Sequence, residues 1–413
     1  MKFDLVTKAK AQLKGVVKQT PLERNDRLGR LYNARIYLKR EDLQVVRSYK
    51  LRGAYNKISK LTKPQRFHGI VCASAGNHAQ GVALACSLLE IRGVIFMPVT
   101  TPKQKIARVE LFAKGWCQIQ LSGDTFDDAQ AEAHRFCEAN KATFIHPFDD
   151  KDVIAGQGTV GLEIIEDINE LIDYLLVPVG GGGLAAGLSV VFRKLSPQTK
   201  IIGVEPKGAP SMKKALIEGK PVELTSIDKF IDGAAVKTVG QLNFEICNQT
   251  LTDVITVPEG KVCSTLLELY NNDAMVVEPA GGLTIAALDQ LKSEISGKTV
   301  VCVVSGGNND ISRTEEIREK ALLYEGRKHY FVIEFPQRPG ALKEFVSNVL
   351  GEGDDITYFQ FTKRNNKENG PAVVGVELSS ELELMALKSR LELKNFGYTY
   401  LNEDALLFNQ LIG

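Results

Sequence analysis

A lysine between an aromatic residue and an Arg-Gly step, in Ser48-Tyr49-Lys50-Leu51-Arg52-Gly53-Ala54, is where covalent chemistry is best placed, because a lysine amine held neutral is both nucleophile and base. Most lysines are solvated surface charges, so the rest of the chain must support the assignment. Gly180, Gly181, Gly182 and Gly183 follow an apolar strand-like run and lead into Leu184-Ala185-Ala186-Gly187. Successive N–H groups there can converge on one phosphate at a helix's positive end. No Lys-Ser or Lys-Thr follows, which excludes the P-loop spacing. G-x-G-x-x-G with an acidic residue about 20 positions on is also absent. Ser74-Ala75-Gly76-Asn77-His78 offers hydroxyl, amide and main-chain donors at a second helix start, where a substrate carboxylate fits; alternatively Ser74 or Asn77 simply caps that helix. Ser305-Gly306-Gly307-Asn308 puts a hydroxyl at a third strand end.

A reactive lysine, a phosphate cradle without a nucleotide motif, a carboxylate site and a hydroxyl are together the requirements of pyridoxal 5'-phosphate acting on an amino acid. These four stretches resemble the motif set of fold-type II pyridoxal-phosphate enzymes. With His146-Pro147-Phe148-Asp149, Val153-Ile154-Ala155-Gly156-Gln157-Gly158-Thr159 and Val277-Glu278-Pro279-Ala280-Gly281, they resemble more narrowly the threonine dehydratases (threonine ammonia-lyases). The likeness covers almost the whole chain. The stretch from His329 to Leu378, with Phe335-Pro336-Gln337-Arg338-Pro339-Gly340, looks like that family's ACT-like regulatory domain in a single copy, as in its short biosynthetic form.

The resemblance implies a role for each residue. Lys50 would hold pyridoxal phosphate through its amine, be displaced by the substrate amine and then take the Cα proton. Tyr49 stands where the family usually has phenylalanine and would pack near the cofactor. Asn77 would bond the cofactor's ring oxygen, Ser74 and its neighbouring amides the substrate carboxylate, and Gly180 to Leu184 the phosphate. Ser305 would face the pyridine nitrogen; a neutral hydroxyl there favours prompt β-elimination. Glu278 would approach the substrate side chain. Glu205 and Ala209 match a metal pattern of related racemases, but Ser211 replaces its last carboxylate, so no tight metal site is expected. The implied substrates are threonine and, more weakly, serine; the implied effector is isoleucine, with valine as a second candidate; the implied assembly is a homo-oligomer, dimer or tetramer. A degradative dehydratase or racemase is the nearest alternative, against which the appended module argues. A non-catalytic amino-acid sensor would not need Lys50, Asn77, the glycine run and Ser305 together.

The elements that must position these residues follow a βα rhythm. Strands are expected over 35–42, 69–73, 93–98, 118–121, 174–179, 200–205 and 298–304. Helices are expected over 5–17, 51–61, 79–89, 102–112 and 126–138. This alternation predicts parallel sheets with helices on both faces, the fold-type II architecture of the tryptophan synthase β type, with ligands at the carboxyl ends of the strands. A small subdomain of about 50–155 is expected within a catalytic domain of 1–323. Beyond it, strand 329–335, helix 339–350, strand 356–362, hairpin tip 365–370, strand 372–378, a helix to 394 opened by a capping box at Ser380-Glu381-Leu382-Glu383, and a strand near 398–401 predict an α+β ferredoxin-like module over 324–413.

Composition sets the outer limits. The 413 residues suit two or three domains, and 51 basic against 50 acidic side chains leave no field for nucleic acid or an anionic membrane. Seven dispersed cysteines without a C-x-x-C pair read as reduced thiols, and five histidines show no ligand spacing. No segment approaches the ~20 apolar residues of a membrane span, and the cytoplasm is the default location.

Overall fold

The computed structural model describes residues 1–361 and 368–412. The chain divides into two compact units, Met1–Asp310 and Ile311–Gly413. The helix Thr314–Tyr324, which the sequence reading assigns to the end of the first domain, groups with the second unit.

The first unit carries two sheets. The larger orders its strands Leu22–Arg24, Arg35–Arg40, Thr299–Val304, Tyr174–Pro178, Lys200–Pro206 and Asp253–Val257. The first pair is antiparallel and the rest are parallel. Thr299–Val304, reading Thr-Val-Val-Cys-Val-Val, is buried at every position. Such unbroken apolar runs are what a parallel strand covered on both faces requires. This last strand of the sheet inserts between Arg35–Arg40 and Tyr174–Pro178, so the strand order reverses there. The smaller sheet is wholly parallel, in the order Cys117–Leu121, Gly93–Met97, Ile70–Ala73 and Thr143–Phe144. Its order reverses beside Ile70–Ala73.

Helix Lys151–Asp167 runs through the core and is buried from Val153 to Ile164. Close contact with helix Gly183–Leu195 depends on two glycines. A Cβ on Gly187 would stand 2.6 Å from the Gly158 nitrogen and the Ile154 carbonyl oxygen. No side chain fits in that gap.

A buried ionic network ties the lysine-bearing helix Lys50–Ser59 to its surroundings. Arg52 is fully buried. Its Nε and Nη2 donate to the two carboxylate oxygens of Glu41 at 2.9 and 2.8 Å. Nη1 and Nη2 donate to Glu163 at 2.5 and 2.9 Å, and Nη1 also reaches the Thr159 hydroxyl at 3.2 Å. All five guanidinium N–H donors are thereby engaged. Buried Lys39 joins Glu163 at 2.8 Å and donates to the Thr20 carbonyl at 2.6 Å.

The second unit is a four-stranded antiparallel sheet in the order Asp355–Phe361, Asn369–Glu377, Lys328–Pro336 and Tyr398–Tyr400. Helices Ala341–Asn348 and Glu383–Leu393 supply the crossovers of a βαββαβ module. Phe335, Phe345 and Phe396 form its aromatic centre, with ring centroids 5.2 to 5.6 Å apart. The 365–367 part of the expected hairpin tip lies outside the described residues.

The expected capping box at Ser380 does not form. Leu382 occupies the cap position without a side-chain bond, and the Glu383 N–H is taken by the Ser380 main-chain carbonyl at 3.2 Å. A backbone turn wins because it supplies the same acceptor without ordering a side chain. Among the described residues no helix is long and apolar enough to cross a membrane.

Replacing Arg52 with methionine would leave buried Glu41 without its arginine partner and Glu163 with Lys39 alone. Urea denaturation should then show a loss of about 3–5 kcal/mol in unfolding free energy. A loss under about 1 kcal/mol would mean that the arginine is not the clamp on this helix.

Candidate active site

Both reversals of strand order open at carboxyl ends, and the chemistry-bearing stretches emerge there. From the large sheet come the segment leading to Lys50, the glycine run after Tyr174–Pro178 and Ser305 after Thr299–Val304. From the small sheet come Ser74 to Asn77 after Ile70–Ala73, and His146 to Asp149 after Thr143–Phe144. Two cross-links close the large-sheet side: Ser48 bridges Gly306, and the Tyr49 N–H donates to the Ser305 carbonyl at 3.3 Å.

Lys50 is the first residue of its helix rather than the residue before it. Its Nζ donates to the Pro147 carbonyl at 3.1 Å and lies 5.4 Å from the centroid of the Tyr49 ring. Burial lowers its pKa to about 8, against an upward pull from Glu278. Burial, with Glu278 adding to it, holds the Tyr49 hydroxyl un-ionised well above its ordinary range.

Helix Asn77–Leu89 starts at Asn77, with Gly76 in the cap position and no side chain capping it. Ser74 Oγ accepts from the Gly76 N–H at 3.2 Å, two residues on, and so shapes the loop without closing off the helix end. His78 points the other way: its Nε2 bonds the Ile145 carbonyl at 2.9 Å, and burial lowers it to about 3.

Helix Gly183–Leu195 also begins without a side-chain cap, after Gly182 at φ +90°. That left-handed conformation turns the chain so that successive N–H groups face one point, and it favours glycine. Asn243 Nδ2 pins the loop by donating to the Gly181 carbonyl at 2.7 Å and the Phe148 carbonyl at 3.1 Å. Asp149 in turn accepts from the N–H groups of Gln241 and Leu242, each at 3.0 Å. His146 to Asp149 thus joins the lysine to the glycine loop.

Ser305 is buried, and its hydroxyl donates to the Ala280 carbonyl at 3.3 Å. Glu278 sits just before helix Pro279–Ala286 and is also buried. Burial, with Asp232 adding to it, raises its carboxyl to about 7, against the Asn77 amide that donates to its Oε1 at 2.7 Å. The fold thus brings Glu278 beside Asn77, a pairing that the sequence reading does not make. Glu205 lies elsewhere, on strand Lys200–Pro206, and its carboxylate accepts from the N–H groups of Met212 and Lys213 at 2.7 and 2.9 Å. It caps helix Ser211–Glu218, with the Ser211 hydroxyl 3.4 Å away.

Sequence reasoning left three participants unassigned: Pro147, Asn243 and Asn308. Pro147 and Asn308 stand in quoted motifs, yet they act through a carbonyl and an amide contact that only the fold creates. Nothing in the sequence around Asn243 marks it.

The arrangement fits pyridoxal phosphate. An amine whose pKa is lowered to about 8, two helix starts without a side-chain cap, a buried hydroxyl and an amide donor all stand on loops at the strands' carboxyl ends. Residues 13–306 match the family profile of pyridoxal-phosphate dependent enzymes, and residues 319–411 match that of the C-terminal regulatory domain of threonine dehydratase. The chain is 56% identical over 404 residues to the biosynthetic L-threonine dehydratase IlvA of Halalkalibacterium halodurans, covering 98% of this chain and 97% of that one. It is 55% identical to the IlvA of Bacillus subtilis, covering 98% and 96%. Among solved structures, threonine deaminase isoform 2 of Solanum lycopersicum is 39% identical, with a TM-score of 0.74 over 77% of this chain and 88% of that one. Maize serine racemase is 30% identical, with a TM-score of 0.72 over 78% and 98%. With both profiles matched in order and more than half the residues shared over nearly the full length, the chain belongs to the biosynthetic threonine dehydratases, pyridoxal-phosphate-dependent lyases with a C-terminal regulatory domain.

Proposed function

We propose that this enzyme converts L-threonine to 2-oxobutanoate and ammonia, the entry step to isoleucine, and acts more weakly on L-serine. The observation that carries the reading is that Lys50, with its pKa lowered to about 8, bonds the His146 to Asp149 segment, which Asn243 ties to the glycine loop, while Tyr49 beside it bonds Ser305. Pyridoxal phosphate, when bound, supplies the electron sink that acidifies the substrate Cα–H bond. The N–H groups of Gly180, Gly181, Gly182, Gly183 and Leu184 would hold its phosphate. Asn77 would donate to the ring oxygen, Ser305 would meet the pyridine nitrogen, and Tyr49 would pack beside the ring.

Ser74 and the N–H groups at the start of helix Asn77–Leu89 orient the substrate carboxylate, which fixes the Cα–H bond toward Lys50. Lys50, neutral at Nζ, takes the Cα proton. As the Cβ–OH bond breaks, hydroxide leaves as water with one proton, matching the proton that Lys50 took from Cα, and the released enamine takes one water back on hydrolysis to the keto acid and ammonia. Glu278 lies on the side-chain end of the substrate. The Ser305 hydroxyl cannot hold a charged pyridinium as a carboxylate would, which favours elimination over a persistent carbanion.

The same reading gives the Ile311–Gly413 unit to isoleucine as inhibitor, with valine opposing it. It also makes the enzyme a cytoplasmic homo-oligomer, a dimer or tetramer.

Four measurements test this reading. Lys50→Ala should lower threonine turnover by at least about 10²–10⁴-fold, and retained turnover sinks the assignment. In the parent apoprotein, the rate of cofactor recombination should rise with pH to a midpoint of about 8 and then level, because only the neutral amine attacks and burial has lowered its pKa. A midpoint in the ordinary lysine range would remove the argument from burial. For substrates, kcat/KM should favour threonine over serine by roughly 10–200-fold, the range one methyl group allows; equal values would move the enzyme to the serine dehydratases. Isoleucine added to the full chain should raise the threonine concentration needed for half-maximal rate, and an unchanged saturation curve would refute the effector assignment.

A further inference from the structure

An asparagine amide has a donor end and an acceptor end, and its neighbours decide which faces which way. Asn308 Nδ2 is 2.8 Å from the Val46 carbonyl oxygen and 2.7 Å from Asn77 Oδ1. A main-chain carbonyl can only accept, so the Asn308 atom facing Val46 is its NH2 group. The second hydrogen of that nitrogen points to Asn77, whose atom at this contact is therefore its oxygen. Asn77 Nδ2 is left at the opposite end, where it donates to Glu278 Oε1 at 2.7 Å. One backbone carbonyl thus sets the direction of two side-chain amides.

The anchor is well held. Val46 is fully buried. The next residue, Arg47, accepts from the Gly307 N–H at 2.9 Å, and its own N–H donates to Gln44 at 2.8 Å. On the far side, the Glu278 N–H donates to the Gly306 carbonyl at 3.2 Å. The chain Val46–Asn308–Asn77–Glu278 is therefore fixed at both ends by main-chain bonds.

We propose that Asn308 is a positioning residue that holds the Asn77 amide with its donor end toward Glu278 and the cofactor ring oxygen. The inference rests on the reading that Asn77 donates to that oxygen. Without Asn308 only the Glu278 carboxylate holds the direction of the Asn77 amide, and a turn-over, which has no steric cost, presents an acceptor where the cofactor offers another acceptor.

The test is Asn308→Asp, which keeps the shape and removes the donor. An aspartate cannot donate to Val46 and offers Asn77 only acceptors, so it draws the Asn77 NH2 toward itself and leaves an oxygen facing the ring. Titrating the apoprotein with pyridoxal phosphate should show affinity about 10–100-fold weaker, the range seen when partners behind ligating side chains are removed. The visible absorption maximum of the loaded variant should also move. Asn308→Ala, which adds no charge, is read the same way should the aspartate variant fail to fold. A dissociation constant within about two-fold of the parent's and an unmoved band would overturn the proposal, since a support behind the binding group is worth far more than that. A parallel Asn77→Ala protein separates the two levels. If it binds the cofactor as the parent does, the reading of Asn77 fails; if it binds weakly while Asn308→Asp does not, only the role of Asn308 fails.

Discussion

The placement of Lys50 depends on where Arg52 is held. Residues two apart on an α-helix point about 200° away from each other, so the turn that directs Lys50 into the cleft directs Arg52 into the protein. There its guanidinium is gripped by Glu41, just beyond strand Arg35–Arg40, and by Glu163 on the buried helix Lys151–Asp167. An ion cluster of this kind adds little net stability over a packed apolar equivalent. Its five directional bonds do allow one rotation and one height for the helix, and the position of Lys50 Nζ follows from that. The amine could not be both buried and aimed if the helix were free to slide.

Around that fixed helix, the two sheets deliver the remaining groups by the same device. Each sheet reverses its strand order once, and at a reversal the loops on either side diverge and leave a crevice. The large sheet opens its crevice between strands ending at Ser305 and at the glycine loop, and the small sheet opens its own beside Ser74 to Asn77. Two helix starts without side-chain caps result, each able to take one anionic group. The segment His146 to Asp149 runs between them and contacts both the lysine and the glycine loop's support at Asn243. The glycine pair Gly158 and Gly187 keeps the two central helices close enough for these loops to meet.

Much of this was legible beforehand because the relevant signals are local. Strands buried on both faces read as short apolar runs, and those at 70–73, 93–97, 174–178 and 299–304 fall within a residue or so of expectation. One helix start in the first unit lies further from expectation. Helix Asn77–Leu89 begins two residues before the expected 79, because Asn77 is claimed by its own helix and by distant partners at once. The Ser380 signal failed for the opposite reason: its spacing is right for a cap, but the backbone had a nearer solution. Asn308 lay in plain view inside a quoted motif and still had no assigned role, since its partner Val46 is 262 positions away in the chain.

The amino-acid sequence by itself determined the parts: a lysine with the right neighbours, glycine runs where backbone must turn, a hydroxyl after a buried strand, and the alternation that makes the sheets parallel. These are properties of residue type and short spacing, and they survive without coordinates. What only the tertiary structure decided is electrostatic. That Lys50 sits at a pKa of about 8, that Glu278 is raised to about 7, and that the Asn77 amide points one way and not the other all depend on burial and on groups brought together from distant segments. Desolvation and hydrogen-bond direction belong to an environment and not to a residue, so no motif can state them.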